Sequence, residues 1–276
     1  MSQQKNKDNS NKLWSSDQGI SRLWKIIVDE VTEQAENEPE LVTYFHDAIL
    51  SHHSLEAALA YNLALKLDSN ILSSITISQV FTEALMSDSG ITDKICMDLA
   101  AYVERDPACD RYSLPLLYFK GFHALQIHRI AHWLWNHDRK SLALYLQNRV
   151  SEVFAVDIHP AAQIGGGIMI DHATGLVVGE TTVIGDNVSM LHSVTLGGTG
   201  AEAGDRHPKI HCGVLIAAGA KILGNIEVGE GAKIGAGSLV LEPVPAHTTV
   251  AGVPAEIVGH PTEAEPAREM DQRIDG

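Results

Sequence analysis

Three short stretches of the chain carry residue types able to move a proton or grip a small polar molecule. They are Asp157-Ile158-His159-Pro160, Asp171-His172-Ala173-Thr174-Gly175, and a glycine-rich run from Gly197 to Pro208 that contains adjacent Arg206 and His207. A hydroxyl that is to attack a thioester must lose its proton, and imidazole is the side chain whose ordinary pKa suits that task near neutrality. His172 is the first candidate for such a base. A base of this kind needs an acid behind it to fix its tautomer and stabilise the imidazolium, and Asp157, fifteen residues earlier, is the acid considered. Arg206 has the planar fork that grips a carboxylate through two hydrogen bonds. The plain alternatives are a solvated corner for His172 and Asp171 and a solvated loop for Arg206 and His207.

Other chemistries fit less well. Gly197 to Gly200 lacks the Lys-Ser/Thr of a phosphate loop and the spacing of a dinucleotide fingerprint. Five histidines (His159, His172, His192, His207, His211) fall in the same region, but their order declares no zinc ligand set. Cys96, Cys109 and Cys212 are widely spaced and form no metal or redox motif. They read as reduced, ordinary side chains.

These residues need a scaffold, and the sequence announces one. From Ile158 to Val244 aliphatic residues recur every six positions: Ile158, Ile164, Ile170, Leu176, Val188 and Val194, interrupted by Thr182, and then Ile210, Ile216, Ile222, Val228, Ile234 and Val240. A period of six fits neither a helix nor an alternating strand. It fits the hexapeptide repeat of a parallel β-helix, in which three hexads of about 18 residues close one triangular coil. Between Val194 and Ile210 lie sixteen residues where six would keep register, so ten are expected to bulge as a loop over 195–209. Asp157 then belongs to the coil beneath His172. Asp171 follows the inward Ile170 and is expected to point outward.

Residues 1–17 are polar and are expected to be disordered. Residues 18–155 carry helical periodicity, as in Ile20, Leu23, Trp24, Ile27, Val28 and Val31. Further helices are expected from Ser54 to Leu67, from Ile77 to Met86, before Pro107, from Pro115 toward Trp135, and from Leu142 to Phe154. This α-helical domain can cap the open first coil of the solenoid and join subunits. The β-helix domain is expected over 156–262, with a flexible tail at 263–276. The formal charge of −15 argues against a nucleic-acid partner. No apolar run approaches the roughly 20 residues needed to span a bilayer, and no signal-like segment opens the chain, so a cytoplasmic protein is expected.

The stretches Asp157-Ile-His-Pro, Asp171-His-Ala-Thr-Gly, Ser193-Val-Thr-Leu-Gly-Gly-Thr-Gly, Asp205-Arg-His-Pro-Lys, Lys221-Ile-Leu-Gly-Asn-Ile and Ala251-Gly-Val-Pro-Ala resemble the serine O-acetyltransferases, hexapeptide-repeat acyltransferases. Arg105-Asp106-Pro107-Ala108 extends the likeness into the helical half. The resemblance implies an α+β chain, an N-terminal α-helical domain followed by a C-terminal left-handed parallel β-helix. It implies acetyl transfer from acetyl-CoA to the hydroxyl of L-serine, the committed step toward cysteine, with no metal. His172 matches the family's general base and Asp157 its partner. Asp106 and Asp171 match acids that hold the serine ammonium, and Arg206 and His207 match loop residues at the carboxylate and hydroxyl ends. CoA would lie between neighbouring prisms, against Gly198, Thr199 and Gly200 and around Ala218 and Ala236, with Lys233 near the phosphates. The resemblance further implies a homotrimer, often paired into a hexamer as a dimer of trimers, with L-cysteine as feedback inhibitor at the serine site. Many members end in an isoleucine that binds O-acetylserine sulfhydrylase; here Ile274 is followed by Asp275 and Gly276. Two other readings fit the same solenoid: a sugar O-acetyltransferase, or a non-catalytic β-helix scaffold. A β-helix zinc carbonic anhydrase is more remote.

Overall fold

The computed structural model describes residues 17–200 and 203–274. The segment expected to be disordered lies outside them except for Asp17, which begins a helix. The chain divides into two compact units, one up to Phe119 and the other from Lys120 onward. The expected boundary at 155/156 therefore falls inside the second unit. No helix among the described residues is long and apolar enough to cross a membrane.

Among its described residues the first unit holds helices and no strand. It comprises α1 (Asp17–Asn37), α2 (Val42–Phe45) running on into a wider turn over His46–Leu50, α3 (Leu55–Leu67), α4 (Ser74–Ser87), α5 (Ser89–Arg105) and α6 (Ser113–Tyr118). The caps are legible in the residues: Ser54, Ser73 and Asp88 each accept a backbone N–H from the first turn of α3, α4 and α5. Leu23, Ile27 and Val31 of α1 are fully buried, as their three-to-four spacing requires. The helix expected to run from Pro115 toward Trp135 is instead two. Phe119 takes an extended backbone and ends α6, and a new helix, α7 (Lys120–Asn136), opens the second unit.

In the second unit α7 and α8 (Lys140–Phe154) pack together and then against the first coil of the solenoid. Two helices thus cover the end of the coil stack that would otherwise present an unpaired edge. The solenoid is a left-handed parallel β-helix whose strands fall on three faces. Face A holds β1 (Val156–Ile158), β4 (Leu176–Val178), β7 (Thr195–Gly197), β10 (Lys221–Leu223) and β13 (Leu239–Val240). Face B holds β2 (Gln163–Ile164), β5 (Val183–Ile184), β8 (Lys209–Ile210) and β11 (Glu227–Val228). Face C holds β3 (Met169–Ile170), β6 (Ser189–Met190), β9 (Leu215–Ile216), β12 (Lys233–Ile234) and β14 (Thr249–Gly252), with β15 (Ala255–Gly259) added antiparallel at its end.

Inward side chains stack in register on each face. Face A aligns Ile158, Val178, Leu196, Ile222 and Val240; face C aligns Ile170, Met190, Ile216, Ile234 and Val250. The stacked pairs correct the sixfold count. Eighteen residues separate Ile222 from Val240, but twenty separate Ile158 from Val178 and twenty-six separate Leu196 from Ile222. The ten extra residues assigned to one loop are therefore split: two widen the corner between β3 and β4, and eight form the loop between β7 and β8. The first insertion shifted the apparent phase, which is why the count met Thr182. The strand residue of that hexad is Ile184, two positions on.

The end of the chain also departs from expectation. Described residues of the supposed flexible tail form a short helix, α9 (Pro266–Glu269), and pack on the outside of face C. Pro266 and Ala267 are buried, the Ser189 hydroxyl donates to the Ala267 carbonyl, and the Lys233 ammonium donates to the Arg273 carbonyl. Small apolar side chains and backbone acceptors outweigh the charged composition here.

Two predictions follow from this packing. Ile222→Ala, at an inward position with no exposure, is expected to destabilise the solenoid by about 2–5 kcal/mol. Gln163→Ala, on the solvent side of β2, is expected to change it by about 0.5 kcal/mol or less; equal shifts in denaturation midpoint would contradict the inward register. His128 of α7 is buried and held neutral, chiefly by desolvation and then by neighbouring His132 and Arg129. Its folded pKa lies below 6.5, so below that pH the unfolded chain binds a proton that the folded chain refuses. Stability of the second unit should fall as pH drops from 6.5 toward the lower folded pKa. His128→Gln should flatten that fall in pH-dependent unfolding; an unchanged slope would contradict it.

Candidate active site

The corner between β3 and β4 shows how the two-residue insertion is used. His172 and Ala173 both take left-handed backbone, with φ of 57° and 58°, followed by Gly175 at 77°. Such a conformation costs a non-glycine residue about 1–2 kcal/mol, and the corner is over-determined by short bonds. Ala173 N donates to Asp171 O at 2.6 Å, Thr174 N to His172 O at 2.7 Å, and Gly175 N to Ala155 O at 2.7 Å. The result buries the Ala173 methyl completely and turns His172 outward, its side chain 74% exposed. Asp171 lies beside it, Oδ2 to Nε2 at 3.6 Å. One coil on, His192 meets the His172 ring edge-to-face at 5.9 Å. Lys120 donates to Thr174 Oγ1, and Lys221 to the Ser193 carbonyl. Ala218 and Ala236 occupy the same corner on the next two coils. This edge of the prism is thus one imidazole pair above a strip of small residues.

Arg206 and His207 stand on a different edge, between faces A and B. Arg206 is paired with Glu180 at 2.7 Å, which holds the Glu180 carboxyl below its usual range, and it also donates to the Gly204 carbonyl at 3.0 Å. Thr181 organises the loop: its hydroxyl oxygen accepts the backbone N–H groups of Arg206 and His207, each at 3.1 Å. Its own N–H donates to His207 Nδ1 at 3.1 Å. That leaves the neutral His207 ring with its proton on Nε2. Desolvation, and then the Arg206 charge, lower the pKa of His207 and favour this neutral form. The His207 ring lies so close to Gly179 that a Cβ there would meet its Cδ2 at 2.0 Å, so only glycine fits at that position. His159, one coil lower on this edge, packs edge-on against Trp135 and has a lowered pKa, mainly from burial. Gly198, Thr199 and Gly200 begin the same loop, with Thr199 and Gly200 exposed.

The residues singled out from sequence therefore fall into distinct places. His172, Asp171, Ala218 and Ala236 share one edge; Arg206, His207 and Gly198 to Gly200 share another, a whole face away. Asp157 sits in the middle of β1 on face A, its Oδ1 accepting the Gln147 amide at 2.7 Å, and no hydrogen bond joins it to His172. Lys233 lies on face C, buried beneath the Arg273 carbonyl, rather than on either edge. Asp106 caps the end of α5 in the first unit, where its Oδ1 accepts the Ala108 N–H at 2.8 Å. Sequence reasoning missed Gln147, Glu180 and Thr181, and weighed His192 only as one of five histidines without pairing it with His172. His192 follows His172 by twenty residues and Arg206 follows Glu180 by twenty-six, the lengths of the two widened coils, so only the true register could have paired them. Among the described residues no group of three or more His, Cys, Asp or Glu side chains is placed to hold a metal.

Residues 23–127 match the family model described as serine acetyltransferase, N-terminal, and residues 207–242 match the bacterial transferase hexapeptide model of six repeats. The serine acetyltransferase of Salmonella typhimurium is 59% identical over 254 residues, covering 92% of this chain and 93% of its own. The crystal structure of the Vibrio cholerae serine acetyltransferase has a TM-score of 0.92 at 57% identity, covering 93% of this chain and 99% of that one. Similar solved serine acetyltransferases include a complex with cysteine, at 57% identity and TM-score 0.90 over 92% of this chain and 99% of that one. Others are complexes with serine, from Neisseria gonorrhoeae, and with coenzyme A, from Brucella abortus. With such identity along nearly its whole length, this chain belongs to the serine acetyltransferase family.

Proposed function

We propose that the chain transfers the acetyl group of acetyl-CoA to the hydroxyl of L-serine, giving O-acetyl-L-serine and CoA, the committed step toward cysteine, in the cytoplasm. The observation that carries this reading is the 59% identity to a serine acetyltransferase across 92% of the chain, with His172 turned out at a corner built for it. His172 takes the proton of the serine hydroxyl, the oxygen attacks the thioester carbonyl, and the tetrahedral adduct collapses to expel the CoA thiolate. The imidazolium then returns its proton to that sulfur. Asp157 supplies the negative charge that stabilises the imidazolium. No acetyl-cysteine is needed: Cys96 and Cys109 are buried, with their thiols pushed up to about 12, and the exposed Cys212 stands at the corner between β8 and β9, on neither edge of the proposed site.

Asp171, next to the base, meets the serine ammonium, while Arg206 and His207 meet the carboxylate and hydroxyl ends. The last two stand a face away from His172 on the same prism. A single site containing all of them takes the His172 edge from one chain and the Arg206 edge from another, which a homotrimer with prisms side by side provides. Pairing of two such trimers gives a hexamer. Acetyl-CoA lies in the groove between the two edges, along Ala218 and Ala236 on one side and Gly198, Thr199 and Gly200 on the other. Small side chains there leave backbone accessible: a Cβ added at Gly200 or Gly237 would meet nothing within 4 Å. Lys233 is left out of this site. L-cysteine, nearly isosteric with serine, competes for the same pocket, a reading supported by the relative crystallised with cysteine.

His172→Ala is expected to lower kcat by about 10²–10⁴-fold while leaving oligomer size unchanged, read by CoA thiol release and size-exclusion chromatography. Turnover near that of the unaltered chain would rule out His172 as base. L-Cysteine should raise the apparent KM for L-serine without lowering kcat at saturating serine; inhibition that serine cannot relieve would contradict a shared pocket.

A further inference from the structure

Asp157 is placed by a residue that neither the repeat pattern nor the family motifs single out. It is the middle residue of β1, between the inward Val156 and Ile158, so its own side chain faces out of the prism and is half-buried. β1 is the first strand of face A, and among the described residues its one strand neighbour is β4. On that side the strand is covered by α8, which turns back through a left-handed Ala155 directly into β1. Ala143, Leu146, Val150 and Phe154 form the buried stripe of α8, and Gln147 lies at the margin of that stripe, above Asp157.

Gln147 Nε2 donates to Asp157 Oδ1 at 2.7 Å. This is the only side-chain hydrogen bond of either residue among the described residues. A carboxylate can only accept, so the amide must present its NH₂ to Asp157. Behind the amide, a cavity of about 10 Å³ is lined by Gln147, His128, Ile158 and apolar side chains of α7 and α8. His128, the one titratable side chain of that lining, is kept neutral by burial. The arrangement has a clear electrostatic sense. A lysine or arginine at this position would orient the carboxylate but also absorb its charge. A neutral amide fixes the plane of the carboxyl group without neutralising it; Oδ2 makes no hydrogen bond among the described residues, and His159 also lies within the field of this carboxylate.

We propose that Gln147 is a positioning residue for the reaction, acting from behind Asp157 to hold its carboxylate toward the catalytic imidazole. This inference rests on the reading of Asp157 as partner of the base. The alternative is that the bond merely pins α8 to the first coil, in which case its loss would lower stability and leave the kinetics alone.

The test is steady-state kinetics of the full chain carrying Gln147→Met, Gln147→Glu, Asp157→Asn and the double variant Q147M/D157N, alongside thermal unfolding and oligomer size. Gln147→Met removes the donor at nearly constant volume. It should lower kcat by about 10-fold, the scale of a lost orienting contact, with KM for L-serine and acetyl-CoA within about twofold. Q147M/D157N should be no slower than Asp157→Asn alone, because both changes remove one linked function. If Gln147→Met keeps kcat within twofold while Asp157→Asn is impaired, the inference falls and the role of Asp157 stands. If Asp157→Asn itself turns over normally, the His-Asp reading falls and this inference with it. Should Gln147→Met fail to assemble, Gln147→Glu decides: it keeps the shape but replaces the donor with an acceptor, and undiminished kcat in it would overturn the proposal.

Discussion

The ladder register of the solenoid is the constraint on which everything else depends. Strands β1 to β13 are only two or three residues long, and each must place one aliphatic side chain directly over the equivalent side chain of the coil below. Each such side chain contributes about 1.5–3 kcal/mol when fully buried, and a slip of one residue would turn the whole set to solvent. Additional residues can therefore enter only at corners, where they leave the prism without disturbing the stack. The chain uses this freedom twice, with two residues before β4 and eight before β8. These are the places where His172 and the Arg206-His207 pair are presented. Those residues sit at corners because the faces admit no insertion; Asp157 instead projects outward from the middle of β1 on face A.

In the proposed reading, corners at different edges give the chain two half-sites rather than one. The His172 edge is lined by small residues and carries the imidazole proposed as base, with Asp171 beside it. The Arg206 edge is a tied-down loop, in which Thr181 fixes the backbone and Glu180 holds the guanidinium. Between them lies face A, on which Asp157 is held from behind by α8. Helices α7 and α8 thus do more than close the first coil, since α8 orients a carboxylate of the proposed reaction. On face C the segment from Pro266 to Arg273 lies across Ser189, β9 and Lys233, which removes that face, and Lys233 with it, from the proposed groove.

Much of this was legible in the residues. The sixfold recurrence from Ile210 to Val240 translates directly into the stacked core, because those coils contain no insertion. The caps at Ser54, Ser73 and Asp88 sit where short polar side chains precede apolar runs. Farther upstream the periodic pattern misled. Leu176, Val188 and Val194 are buried and spaced by sixes, yet they lie two positions before the strand residues Val178, Met190 and Leu196. Both sets face the interior, so hydrophobicity alone could not tell them apart. Thr182, fully buried with its hydroxyl unpartnered among the described residues, was the sole sign of the shift. The composition of the last residues likewise hid two buried positions, Pro266 and Ala267, among charges. Gln147, Glu180 and Thr181 stand in no motif, and their partners lie 10 to 26 residues away, so only the folded register reveals them.

The central claim is that a complete site joins the His172 edge of one chain to the Arg206 edge of another. Its most direct measurement is subunit complementation: His172→Ala and Arg206→Ala are each made inactive alone, then co-expressed and assayed for serine-dependent CoA release. In randomly mixed trimers about a quarter of the interfaces pair an intact His172 edge with an intact Arg206 edge, and activity near that fraction is the predicted result. If both edges of one site came from the same chain, every site would carry one of the two lesions. Mixed oligomers as inactive as either parent would contradict the account.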